Sequence, residues 1–128
     1  MSPAVSSFIV FIKAPSLRRA LDFYQDSLGL KVVLEQAHCV VLRAASGACI
    51  GFCEDINVDP CGNRVVLTLV VDTPEEVAAW HAHCTAQGIG TDGEPRDNDK
   101  YLIHHFFAED PFGHLVEIQS FYDPRWQG

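Results

Sequence analysis

The chain has 128 residues, of which 48% are hydrophobic and 20% are charged, and its net charge is −8. This composition is typical of one globular domain and excludes a disordered chain, while the acidic balance argues against nucleic-acid binding, which needs clustered Lys and Arg. No apolar run approaches the roughly 18 residues of a membrane span, and the N-terminus lacks a leader pattern. We therefore expect a cytoplasmic protein with no membrane partner.

The first half of the chain predicts the order strand, helix and three strands. Residues 8–12 are β-branched and aromatic, which favours a strand. Ser16 can cap a helix whose apolar residues recur every three or four positions, and Gly29 supplies its left-handed end. Three short apolar runs follow and predict an antiparallel stretch, at residues 30–34, 39–42 and 48–52.

The second half repeats this order after a turn-rich segment at residues 59–63. Residues 64–71 predict a strand, and Thr73 with Glu76 forms a capping box with Pro74 at the first helical position. Gly88 ends this helix as Gly29 ends the first. Three further strands are expected, at residues 93–96, 102–108 and 114–120. The repeat predicts an internal duplication within a single domain, 1–128, with modules at about 5–58 and 62–122.

Five cysteines are present, an odd number with no CxxC pair. That count does not favour a secreted disulfide framework, so we expect reduced thiols that mostly act as small buried apolar residues. They are Cys39, Cys49, Cys53, Cys61 and Cys84.

Two segments carry a family resemblance. The first is Ala20-Leu21-Asp22-Phe23-Tyr24 followed by Leu28-Gly29-Leu30, and the second is the closing hairpin 107–118, with its Asp110-Pro111-Phe112-Gly113 turn and Glu117. They resemble the vicinal-oxygen-chelate family, also called the glyoxalase, bleomycin-resistance and dioxygenase family. The resemblance implies an α+β fold in which two tandem βαβββ modules form a curled mixed-sheet cup with helices outside. It also implies a small-molecule ligand and a homodimer.

The resemblance further implies a divalent metal held by one side chain from each of four strands. The matching residues here are Ile9, Gly51, Val66 and Glu117. Only Glu117 offers a ligand atom, because Ile and Val have no lone pair to donate and Gly has no side chain. We therefore predict no metal and no cofactor. An alternative is a soft-metal site with Cys49, Cys53, His104 and Glu117, although residues four apart on a strand lie about 13 Å apart.

Glu117 and His104 are the candidate catalytic residues. A Glu in an apolar strand is costly to bury unless it is paired, hydrogen-bonded or protonated. Glu117 could be a general base, or it could form an ion pair with Arg64 or Lys13. The neighbours His104 and His105 must point to opposite faces of a strand. We expect His104 to share the face of Glu117, with a plain structural role as the equal alternative.

The remaining candidates would line the ligand cavity. Aromatic side chains suit a flat ligand, although most of them simply fill a core, and a C-terminal Trp can also pack on a partner subunit. The expected ligand-binding residues are Phe11, Phe52, Phe106, Trp126, Arg64 and Cys49.

Three functions fit these observations. The first is a metal-independent binding protein, similar to bleomycin-resistance proteins, that sequesters an aromatic or cationic compound. The second is an isomerase, lyase or dioxygenase-like enzyme of the same fold that uses Glu117 with His104. The third is an interaction or regulatory module whose cup is vestigial.

Overall fold

Two units of similar size, residues 1–60 and 61–128, make up the chain. The computed structural model describes Ala4, residues 7–59 and residues 65–126. Each unit contains one helical region and a mixed four-stranded sheet in the order strand, helix and three strands. The predicted α+β fold with two βαβββ modules is therefore confirmed.

The first unit has its strands in the spatial order β1-β4-β3-β2. β1 runs parallel to β4, and the other two pairings are antiparallel. Its elements are β1 (Ile9–Ala14), α1 (Leu17–Leu21) with a π-helical continuation (Asp22–Ser27), β2 (Lys31–Glu35), β3 (Cys39–Arg43) and β4 (Cys49–Glu54).

The helix of the first unit begins and ends where its caps predict. The Ser16 hydroxyl accepts the amide hydrogen of Arg19 at 3.2 Å, and Gly29 has a φ of +79°. Both values fit the expected N-cap and left-handed end. The helix covers one face of the sheet, where the rings of Tyr24 and Phe52 lie 4.7 Å apart between centroids.

The second unit repeats the arrangement, with the strand order β5-β8-β7-β6 and β5 parallel to β8. Its elements are β5 (Val66–Val70), α2 (Pro74–Ala86), β6 (Arg96–Asn98), β7 (Ile103–Glu109) and β8 (Leu115–Phe121).

Helix α2 covers one face of the second sheet. The Thr73 hydroxyl accepts the amide hydrogen of Glu76 at 3.1 Å, which confirms the predicted cap. The core of the unit joins α2 to β7 and β8 through the buried residues Val77, Cys84, Phe106, Ala108 and Ile118. Among the described residues, no helix combines the length and apolar character that a membrane span needs.

The expectation of reduced cysteines was wrong for one pair. Cys39 on β3 and Cys53 on β4 form a disulfide, with Cα atoms 4.1 Å apart. The antiparallel register places these residues directly opposite each other on one face, which brings the two sulfur atoms within bonding reach. Cys84 is buried as expected and Cys49 is free. Cys61 lies outside the described residues.

Candidate functional site

The face of the second sheet that α2 does not cover, here called the helix-free face, carries a group of polar side chains. Phe106 and Ile118 point toward α2. Because side chains alternate along a strand, His105 and Glu117 point the other way. Thr68 on β5 is the register partner of Glu117, and Gln119 is the partner of His105. Thr68, His105, Glu117 and Gln119 form what we call the polar cluster.

Glu117 is the centre of the polar cluster. Its Oε1 accepts a hydrogen bond from the Thr68 hydroxyl at 2.9 Å, and its Oε2 lies 2.7 Å from Nδ1 of His105. With the Gln119 amide oriented to donate, its nitrogen lies 3.1 and 3.2 Å from the two carboxylate oxygens. The Glu117 side chain is only 12% exposed. These donors replace the water that burial removes.

One of the two alternatives for Glu117 was an ion pair with Lys13 or Arg64. The ammonium of Lys13 lies 4.0 Å from a carboxylate oxygen of Asp55 within the first unit. The other expected partner, Arg64, is outside the described residues, so its predicted ligand-binding role also stays a prediction.

His105 presents one free ring nitrogen. A carboxylate only accepts hydrogen bonds, so Glu117 holds the proton on Nδ1 and leaves the Nε2 lone pair available when the ring is neutral. No described residue bonds to Nε2. Among the described residues, one other histidine nitrogen also lacks a partner: Nε2 of His114, which is fully buried. The His105 residue as a whole is 7% exposed.

The expectation that His104 shares a face of the sheet with Glu117 was wrong. In the register of β7 and β8, Phe107 opposes Glu117 and His104 opposes Ser120, so His104 lies on the opposite face of the sheet from Glu117. Its Nδ1 is 2.8 Å from a carboxylate oxygen of Asp97. His105 takes the position that sequence analysis assigned to His104.

A cation on β6 lies close to the polar cluster. Arg96 is the register partner of His105 and donates two hydrogen bonds to Asp92. These hydrogen bonds raise the pKa of Arg96, and the negative charge of Glu117 contributes to the same shift. The guanidinium in turn lowers the pKa of Asp92, which also accepts the backbone amide of Phe107 at 2.9 Å. Glu117 therefore lies in the field of a fixed positive charge.

An aromatic stack lies further along β8. Phe121 shares the helix-free face with Glu117 by strand alternation, and its ring stacks on Trp126 with centroids 4.2 Å apart and planes 24° apart. Trp126 is 48% exposed, so part of its indole is available to a ligand. The ligand-binding role predicted for Trp126 stays a prediction.

Two of the expected ligand-binding aromatics are core residues. Phe52 and Phe106 are both fully buried on the helix-covered faces of their sheets. Phe52 contacts Tyr24, and Phe106 makes an edge contact with His81. Contact with a ligand on a helix-free face is therefore wrong for both. For Phe52 the sequence already indicates this orientation, because Phe52 directly follows Gly51 on the same strand and adjacent side chains point to opposite faces.

The helix-free face of the first unit carries Phe11 and Cys49. Phe11 is 49% exposed and lies directly over Gly51, its register partner on β4. Cys49 is partly buried and opposes Arg43 on β3. Both side chains lie on this helix-free face, and their contact with a ligand stays a prediction.

The residues do not fit the metal centre that the resemblance implies. Ile9 and Val66 have no ligand atom, and a Cβ atom at residue 51 would overlap the Phe11 ring. Both carboxylate oxygens of Glu117 already form hydrogen bonds with protein groups. Within residues 7–59 and 65–126, no three His, Cys, Asp or Glu side chains come together in a way that could hold a metal ion. The soft-metal alternative lacks support for the same reason.

The fold and these strand positions define a class of protein. The model of the Glyoxalase/Bleomycin resistance protein/Dioxygenase superfamily matches residues 9–118, so the chain belongs to that superfamily. No curated protein matches the sequence.

Three solved structures illustrate the similarity of fold. A glyoxalase/bleomycin resistance protein/dioxygenase from Nocardioides has a TM-score of 0.77 at 15% identity, covering 100% of this chain and 92% of that one. Lactoylglutathione lyase from Agrobacterium tumefaciens has a TM-score of 0.74 at 19% identity, with coverages of 93% and 96%. A bleomycin resistance determinant encoded on transposon Tn5 has a TM-score of 0.73 at 18% identity, with coverages of 92% and 99%.

Proposed function

We propose that the chain is a metal-independent small-molecule-binding member of this superfamily that sequesters an aromatic or cationic compound. The observation that carries the proposal is that protein donors occupy both carboxylate oxygens of Glu117. It is the one residue with a ligand atom among the four family metal positions, and Thr68 and His105 hold both of its carboxylate oxygens. A binding site of fixed polar groups beside apolar surface is typical of small-molecule pockets.

The aromatic stack supports the choice of ligand. An exposed indole offers a flat apolar face, and Trp is also the best partner for a cation above its ring. Trp126 stacks on Phe121 on one side, and its remaining surface is open to a second ring. The net charge of −8 raises the local concentration of cationic ligands. A cationic aromatic compound satisfies both features.

The test combines metal analysis with ligand-dependent melting. We expect less than 0.1 equivalent of bound metal, on the order of background, and a saturable rise in Tm with bleomycin or with an aromatic amidine such as benzamidine. Trp126→Ala should reduce the rise, while Tyr101→Ala, which removes an exposed aromatic outside the stack, should not. One equivalent of a transition metal that Glu117→Gln releases would refute the proposal, as would a flat melting curve with every probe.

A second candidate function rests on the free nitrogen of His105. A carboxylate that orients an imidazole with one accessible nitrogen is a recurring device for proton transfer. The isomerase or lyase alternative would therefore use Glu117 with His105, since His104 lies on the other face. In this role Nε2 of His105 would accept a proton from a bound substrate, and Glu117 would stabilise the imidazolium that forms.

Lactoylglutathione is the probe for this candidate, because a solved structure of similar fold bears the name lactoylglutathione lyase. Turnover that is lost in His105→Asn and in Glu117→Gln, and kept in His104→Asn, would support the enzyme. Absence of turnover in the wild-type protein would remove the support for this substrate, and equal loss in all three variants would indicate general damage to the sheet.

We also propose a homodimer in the cytoplasm. The edge strand β1 exposes apolar side chains, among them Ile9 and Val10, which are 40% and 45% exposed. Contact with a second copy would cover such surface. Sedimentation equilibrium at micromolar concentration should give about twice the monomer mass of 14.2 kDa. A monomer at all concentrations would contradict the dimer.

A further inference from the structure

The hairpin formed by β2 and β3 brings two positive charges together. Lys31 opens β2 and Arg43 closes β3, and the two residues are direct register partners. Directly opposed residues of antiparallel strands point to the same face with Cβ atoms about 4.5–5.5 Å apart, and like charges in this arrangement repel each other. A negative charge placed between the two side chains would offset this repulsion.

The protein does not supply this counter-charge. The chain has 17 acidic residues against nine Lys and Arg, so acidic side chains outnumber the cations that they could neutralise. Several other cations have one, in the pairs Lys13–Asp55, Arg18–Asp22, Arg96–Asp92 and Arg125–Asp123. In contrast, the side chains of Lys31 and Arg43 form no hydrogen bond or ion pair with any residue of the described ranges.

A cavity of about 350 Å³ adjoins the two cations. Gly29, Ala44 and Ala45 contribute small side chains or none to its lining, which leaves room beside the charged groups. The neighbouring turn closes through the amides of Ala44 and Gly47 and leaves the Ala45 amide without a backbone acceptor. The side chains of Lys31 and Arg43 therefore border one cavity, whose lining also includes Ala44 and Ala45. Ammonium and guanidinium groups bind carboxylate and phosphate groups in proteins.

The cavity is larger than an inorganic anion requires. Its volume falls at the lower end of the range for small-molecule pockets, roughly 300–1,000 Å³. Val33, which lies at the bulge of β2, adds an exposed apolar wall beside Lys31. The lining thus offers positive charge at one place and aliphatic surface at another. This combination suits an organic acid or a phosphate ester with a small apolar body.

We propose that Lys31 and Arg43 form an anion-binding site for a small organic carboxylate or phosphate ester. This site lies in the first unit, uses none of the polar cluster, and does not depend on the proposed function. Arg43 would grip the anion with two parallel N–H donors, and Lys31 would contribute a point charge from the opposite strand.

Isothermal titration with phenyl phosphate and with benzoate, at constant ionic strength, tests the site. Inorganic phosphate serves as a third probe that lacks an apolar body. We expect saturable binding to the wild-type protein, weaker by about tenfold or more in Lys31→Gln and in Arg43→Gln, and absent in the double variant. Arg43→Lys should bind with intermediate affinity because it keeps the charge and loses the two-pronged geometry.

Two controls make the outcome specific. Lys100→Gln removes one positive charge from the second unit and should leave the affinity unchanged. Far-UV circular dichroism confirms that each variant is folded. No saturable binding to the wild-type protein, or an equal loss in Lys100→Gln, would overturn the proposal. A Lys on an edge strand can also simply discourage aggregation. In that case Lys31→Gln would lower solubility and leave anion affinity intact, which would equally overturn it.

Discussion

The hydrogen bond between His105 and Glu117 should couple the two side chains energetically. Both are largely buried, with side-chain exposures of 8% and 12%, and the bond measures 2.7 Å. Replacing His105 by Phe leaves the carboxylate buried with one donor fewer. Breaking a buried pair on one side costs about 3–5 kcal/mol. Because Thr68 and Gln119 still donate to Glu117, we expect about 2–3 kcal/mol for His105→Phe.

The double variant should lose less stability than the two single variants together. Glu117→Leu removes the acceptor from the His105 ring, and we expect a cost of about 2–4 kcal/mol. When both residues are apolar, no buried charge or donor of this pair is left unsatisfied. We therefore expect a coupling free energy of about 1.5–3 kcal/mol, the range for a hydrogen bond to a charged group.

Urea unfolding followed by tryptophan fluorescence measures this coupling. Trp80 and Trp126 both belong to the second unit, so the signal reports on the unit that contains the pair. The matched control is the same cycle with His104→Phe, because His104 lies on the other face and should combine additively with Glu117→Leu. A coupling below about 0.5 kcal/mol for His105, or an equal coupling for His104, would refute the reasoning.

Three further predictions concern other parts of the chain. Reducing the Cys39–Cys53 disulfide, whose members are 14 residues apart, should lower the free energy of unfolding by about 3 kcal/mol, measured by urea unfolding with and without reductant. Gly51→Ala should cost about 1–3 kcal/mol through overlap with the Phe11 ring, and Phe11→Ala should remove most of that cost. A hydrogen bond to a carboxylate raises the pKa of Tyr122 to about 12, so this phenol should ionise later than an ordinary tyrosine when absorbance at 295 nm is followed.

Each of these predictions has its own control. Cys49→Ser should leave stability unchanged with and without reductant, since Cys49 is a free thiol. The carboxylate partner of Tyr122 is Asp99, so Asp99→Asn should return the phenol toward its usual pKa. The raised pKa stabilises the fold at every pH below the unfolded value of 10.0, and this contribution is lost as the pH rises toward 12. Equal titration of wild type and Asp99→Asn would contradict the assignment.

Local rules predicted the helices and the order of the strands well. Ser16 and Thr73 cap their helices as expected, and Gly29 and Gly88 both have positive φ values. These signals depend on the residue types at positions a few residues apart, and such local patterns can be read directly from the sequence. The π-helical second half of the first helix was not predicted, because no side-chain pattern distinguishes it from an α-helix.

The identity of the histidine beside Glu117 depends on the length of one loop. Glu109 and Leu115 are register partners, so the hairpin loop contains five residues. With an odd loop, residues of equal parity oppose each other, and His105 rather than His104 shares the face of Glu117. Counting the loop from the predicted Asp110 turn would have given this result. The disulfide likewise follows from the register of β3 and β4, which fixes Cys39 opposite Cys53 and is a non-local property.

Equivalent strand positions in the two units carry different side-chain chemistry. Gly51 pairs with Phe11 across the parallel strands β4 and β1, and Glu117 pairs with Thr68 across β8 and β5. In one unit an aromatic ring covers a residue without a side chain, and in the other a carboxylate accepts a hydroxyl hydrogen. The helix-covered cores are untouched by such changes, because they use the alternate residues of the same strands. New binding chemistry can therefore arise on the helix-free faces without loss of the fold.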